Sequence, residues 1–230
     1  MNTSACLRNT IQASDTASQE SWKVVETWMQ ECISSHQACN RHSRTERTWY
    51  PTRLLLIGEH DTIRLTCTAT EQPRGPYTTL SHCWGKVPLI QLLRSNMKEF
   101  AAGVPQDTLP KTFQHAIIAT KRLGASYIWI DSLCILQDKD DLSDWLQESA
   151  LMGKVYSNSY CNISATAALD SSKGLFHERS AKIVRPMYAS MAVEDDSYNG
   201  SSIEYSIVNR SLWLRQVTNT PLNVRGWGKW

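Results

Sequence analysis

The spacing of apolar positions alternates between a helical and a strand period along the chain, and the alternation predicts its elements. Trp22, Val25, Met29, Cys32 and His36 recur at helical spacing, which predicts an amphipathic helix over about 20–37. The polar residues before it read as a loose tail, 1–19. RLLLIG (53–58) and TIRLTCTA (62–69) follow, the second alternating Ile63, Leu65, Cys67 and Ala69. GEHD between them is the turn of a β-hairpin. EQPRGP (71–76) then breaks the chain, so helix and hairpin form an addition over residues 20–75.

From there the pattern becomes that of an α/β unit, residues 76–176. YTTLSHCWG reads as a strand ending at Gly85. In LPKTFQHAIIATKRLG (109–124), Phe113, Ala116, Ile117, Thr120 and Leu123 line one helical face. Pro110 suits the first turn and Gly124 the stop. YIWIDSLCI (127–135) is the next strand. DWLQESALMGKVY is the next helix, with Asp144 as expected N-cap and Gln147 in the capping-box position. CNISATAA (161–168) closes the series as a strand. Strand, helix, strand, helix, strand implies a parallel sheet with right-handed crossovers. Beyond Gly174 the chain turns irregular: DDSYNGSS is a loop, and SIEYSIV and SLWLRQV read as strands of a β-rich extension, 177–230. No internal repeat is present.

Composition narrows the function classes. At 230 residues, with 41% hydrophobic and 20% charged residues, the chain suits one globular domain with additions. Its 24 basic and 22 acidic residues leave a net charge of +2 with no basic block, so nucleic acid is not the expected partner. No run approaches the roughly 18 apolar residues of a membrane span, and the N-terminus has no apolar leader. Seven cysteines form an odd set within apolar runs, as reduced packing cysteines do, which fits a cytoplasmic address.

The helix from Trp145 poses the main chemical question. Positions 145, 148, 152, 155 and 156 share a face, so Glu148 falls among Trp145, Met152, Val155 and Tyr156. A carboxylate in an apolar stripe is the kind that catalytic sites use for proton transfer; equally, it can sit at the stripe's edge and pair with a Lys or Arg. Asp131 closes the strand YIWID, and ligands collect at the carboxyl ends of strands in open α/β sheets, although capping or loop bonding explains an aspartate there as well. His82 and Cys83 are neighbours on a strand and point to opposite faces, so they do not form a dyad. Cys32, His36 and Cys39 stand at i, i+4 and i+7, a spacing that metal ligands share with plain helix packing. No phosphate loop, HExxH or GxSxG is present, and no cofactor is evident.

Taken together and in order, YTTLSHCWG, LPKTFQHAI, LGASYIWIDSLCILQD, DWLQESALMGKVYSNS and ISATAA followed by GLF resemble the fungal heterokaryon incompatibility (HET) domain, from about Trp28 to Trp227. The resemblance implies a role in self/non-self recognition and cell-death signalling. That family is in turn distantly similar to Toll/interleukin-receptor (TIR) domains, some of which cleave NAD with a helix glutamate. SDWLQE, residues 143–148, is similar to their motif, with Glu148 the matching acid. The implied fold is α/β, a parallel flavodoxin- or TIR-like core with the helix, hairpin and β extension added. The implied site has Glu148 and Asp131 as catalytic residues and Ser81, Trp84, Cys134 and Trp145 as substrate-binding residues. NAD is the candidate substrate, and no metal is implied. Where family members continue Arg-Gly-Trp-x-x-Gln-Glu, this chain reads RGWGKW, which suggests a shortened C-terminus and an apolar edge for a protein partner or self-association to cover.

Overall fold

A computed structural model describes residues 13–36, 49–59, 61–178, 187–192, 202–207 and 220. The chain divides into two compact units, one comprising Trp28–Leu175 and the other Met1–Thr27 with Phe176–Trp230. Helix α1 runs over Gln19–Ser35, close to the expected span.

In the larger unit, β1 (Arg53–Ile57) and β2 (Thr62–Cys67) form the expected antiparallel hairpin, with Leu55 opposite Leu65. The alternation does not carry on to Ala69: α2, Thr68–Glu71, follows β2 at once as a single helical turn. Next come β3 (Tyr77–Ser81), α3 (Met97–Ala102), β4 (Val104–Pro105) and α4 (Lys111–Arg122). β5 (Tyr127–Ile130), α5 (Asp131–Cys134), α6 (Ser143–Ser157) and β6 (Cys161–Ser164) complete it.

The strands make one six-stranded sheet in the order β4-β2-β1-β5-β3-β6. Its β5-β3-β6 half is parallel, as the α/β pattern implies, whereas β1 meets β5 antiparallel. The hairpin is therefore the second half of the same sheet and not an appendage to it. Adjacent residues of β3 show how the helices cover it, because successive strand side chains point to opposite faces. Thr78 Oγ1 lies 2.7 Å from Thr120 Oγ1 on α4, while Tyr77 donates its hydroxyl to the Val155 carbonyl of α6 at 2.7 Å. Thus α4 and α6 lie on opposite faces. Phe113, Ala116 and Ile117 bury one side and Trp129, stacked edge-on with Tyr156, fills the other.

In the smaller unit, Trp22 of α1 meets Phe176 edge-on, and residues 16 and 177 exchange hydrogen bonds. β7 (Met187–Ala192) and β8 (Ser202–Ile207) pair antiparallel. β8 matches the strand read from SIEYSIV, whereas SLWLRQV lies outside the described residues.

Candidate functional site

Chain order and sheet order together locate the crevice. The chain passes from β3 to β5 on one side and then crosses to β6 on the other, so the topological switch falls between the carboxyl ends of β3 and β6. β1 enters the same rim: continuing its register from Leu55 opposite Ile128 sets Thr52 beside Asp131. Ser81, Asp131 and Thr52 thus belong to one edge of the sheet, with the N-terminal half of α6 above it.

Glu148 faces inward from α6 and is only 2% exposed. The Thr52 hydroxyl donates to Glu148 Oε1 at 2.6 Å, and Oε2 meets no donor among the described residues. No Lys or Arg among those residues lies within ion-pair reach of Glu148, so no described cation supplies the pairing of a stripe-edge glutamate.

Asp131 begins the short helix α5 and does not end a strand. Oδ1 accepts the Ser132 N–H at 2.7 Å, and Oδ2 accepts Trp84 Nε1–H at 2.9 Å. His82 Nδ1 stands 3.8 Å from Oδ1, with its ring edge-on to Phe113 at 5.0 Å. The Asp131 side chain keeps 24% of its surface and can be reached from solvent. Beside it, Ser81 donates to Asn162 Oδ1 at 3.1 Å, and Asn162 Nδ2 donates to Ser164. Tyr156 lies near Ser81. Burial pushes its phenol up, the Ser81 hydroxyl opposes that, and the Asp131 charge adds to it.

Cys134 links the two acids electrostatically. Burial pushes its thiol up to about 12; a bond to the Ile130 backbone and the Arg53 charge oppose the shift, and the Asp131 and Glu148 charges reinforce it. Both carboxyl groups therefore act on one thiol. With no exposed surface, Cys134 is a packed, protonated thiol. Arg53 locks the surround: Nε donates to the Cys134 carbonyl at 2.7 Å and its terminal nitrogen to Asp144 Oδ2 at 2.6 Å. Asp144, which also accepts the Leu136 N–H, is taken up by these bonds. Leu142 occupies the N-cap of α6 without a side-chain bond, so the expected Asp144 cap is not formed.

Trp145 does not join Glu148. It is 42% exposed on the outer face of α6, next to Leu146 at 61% and Leu142. Aromatic walls come from elsewhere: a cleft of about 490 Å³ is lined by Trp49, Tyr50, Thr52, Thr68, Ala69, Gln72, Pro73 and Leu151. Its wall residue Thr52 is the donor to Glu148. Sequence reading passed over Thr52 and Arg53, whose partners are 96 and 91 residues away. The aromatic pair before the hairpin, Trp49-Tyr50, was the one available signal for the cleft. Among the described residues no group of three or more His, Cys, Asp or Glu could hold a metal ion; Cys39 lies outside them. No described helix is long and apolar enough to cross a membrane.

In comparison with known proteins, the family model described as Heterokaryon incompatibility protein (HET) matches residues 77–228, more than half of the chain. No curated protein and no solved structure matches it.

Proposed function

The chain belongs to the heterokaryon incompatibility family, and from that premise we propose that it acts in fungal self/non-self recognition and cell-death signalling by hydrolysing NAD or a related nucleotide at the rim of its sheet. The observation that carries this reading is Glu148: a carboxylate enclosed at the carboxyl edge of an α/β sheet, held by one threonine hydroxyl, with no cation among the described residues to account for it. Structural carboxylates buried this far are ordinarily paired.

The reaction breaks the bond between ribose C1′ and the nicotinamide nitrogen. The bonding pair stays with nitrogen, nicotinamide leaves neutral, the oxygen of water bonds to C1′ and one proton is released. Glu148 Oε2 would stabilise positive charge developing on the ribose, while Asp131, oriented by Trp84, and Ser81 would hold ribose hydroxyls. NAD incubated with the purified chain should yield nicotinamide and ADP-ribose. Glu148→Gln, which keeps an acceptor for Thr52, should lower the rate about 100-fold or more with the melting temperature little changed. Absence of turnover by the unaltered chain, or full turnover by Glu148→Gln, overturns the reading.

One observation favours a second reading, that of an interaction module. Leu142, Trp145 and Leu146 form an exposed apolar strip on α6, of the type that docks onto protein partners. Under that reading NAD is untouched and Trp145→Ser abolishes association.

A further inference from the structure

The cleft beside Thr52 has its own chemistry, distinct from the acids of the rim. Two rings, Trp49 and Tyr50, stand on its walls with Pro73 and Leu151. Tyr50 is fixed by a bond from its hydroxyl to the Gly75 carbonyl at 2.8 Å and packs at a tilt against Tyr77. Lys154 Nζ lies 4.5 Å from the centroid of the Trp49 ring, so a cation stands against the same indole that walls the cleft. Polar atoms are few. Thr52 spends its hydroxyl proton on Glu148 and keeps lone pairs as an acceptor; Gln72 offers a carboxamide from a left-handed backbone position, φ 46°, that orients it as the end of α2.

We propose that this cleft binds the heteroaromatic base of a nucleotide, with Trp49 and Tyr50 contacting its faces, Gln72 and Thr52 reading its edge and Lys154 attracting its phosphate. Fixed aromatic walls and a single carboxamide suit one planar ring bearing hydrogen-bonding edges. The volume lies within the range of small-molecule sites, about 300–1,000 Å³, and is short for an extended peptide. The positive charge at the indole complements an anion carried by the same ligand. Through Thr52, base recognition and the Glu148 carboxylate share one side chain, so an occupied cleft would bring the sugar toward the rim. In that respect the proposal rests on the nucleotide-cleavage reading, although binding stands without it.

The test uses the full chain as Glu148→Gln, so that no ligand is consumed. AMP, ADP-ribose and nicotinamide are titrated separately by calorimetry, and NAD cleavage by the unaltered chain is followed in parallel. Saturable binding is expected, led by AMP and ADP-ribose if adenine is the base and by nicotinamide if the leaving group is. In the same background, Trp49→Ala should weaken it about tenfold or more, as loss of a stacking platform does. Gln72→Ala, at an exposed position, should weaken it several-fold with circular dichroism and melting temperature unaltered, which guards against Trp49→Ala acting through the fold. Binding unaffected by both substitutions, no binding of any of the three ligands, or capture of a proline-rich peptide in their place overturns the proposal. Base binding that depends on Trp49 without NAD turnover leaves the cleft standing and removes the cleavage reading. Turnover with an unchanged KM in Trp49→Ala does the reverse.

Discussion

A single hydroxyl is the one donor that Glu148 meets among the described residues, and that makes Thr52 the sharpest probe of the rim. Thr52→Val keeps the shape and removes the donor, leaving a buried carboxylate oxygen bare. Urea denaturation should find it less stable by about 1–3 kcal/mol, while Thr52→Ser, which keeps the donor, should lose well under half of that. Cys134 yields a pH dependence of definite sign. Its thiol titrates near 9.0 when exposed and at about 12 when folded. Below pH 9 both states hold the proton and the thiol's contribution is intact; between 9 and 12 the unfolded chain ionises and the folded one does not. Stability is then lost at about 1.4 kcal/mol per pH unit. Unfolding free energies at pH 8 and pH 10 should show a steeper fall for the unaltered chain than for Cys134→Ala. Single-residue reading went far here: the helical period alone exposed Glu148 as an anomaly. It could not see Thr52, since threonine before a hairpin carries no pattern and its partner lies a whole sheet away in sequence.

Among the elements, strands and helices whose apolar period was long, such as α4 and the hairpin, were legible to within a few residues. Errors fell where a local rule lost to a distant partner. Asp144 fits an N-cap, yet a buried guanidinium from β1 outbids the backbone for its carboxylate. DSLCI continues the apolar run of β5, and a short run of that kind does not tell strand from helix; α5 forms there. Trp145 sits on the helical period of Glu148 but at the border of the stripe, where burial is decided by neighbours. Two glycines separate backbone demand from mere composition. Gly85, at φ +71° after β3, would place an added Cβ 2.4 Å from Asp170 Cβ, pressing on the loop that follows β6. Gly153, inside α6, meets nothing within 4 Å and only weakens its helix. Thermal melts should therefore move in opposite directions: Gly85→Ala down by about 1–3 kcal/mol of stability, and Gly153→Ala up by roughly 0.5–1 kcal/mol.

For the whole molecule, the matched span and the folded unit do not coincide, and the difference is testable. The family match begins at residue 77, yet β1 and β2 precede it and supply the sheet neighbours on the far side of β5. Thr52, Arg53, Trp49 and Tyr50 precede it too. A chain reduced to 77–228 would expose the edge of β5, unpair Asp144 from Arg53 and strip Glu148 of its donor. Exposed strand edges and uncompensated buried acids both oppose folding. Purified 77–228 should consequently lack a cooperative melt by circular dichroism or precipitate, whereas 49–228, which restores the hairpin, should unfold cooperatively. A cooperative melt for the shorter chain, matching the longer one in midpoint, would mean that the hairpin is dispensable and that the rim is completed without Thr52.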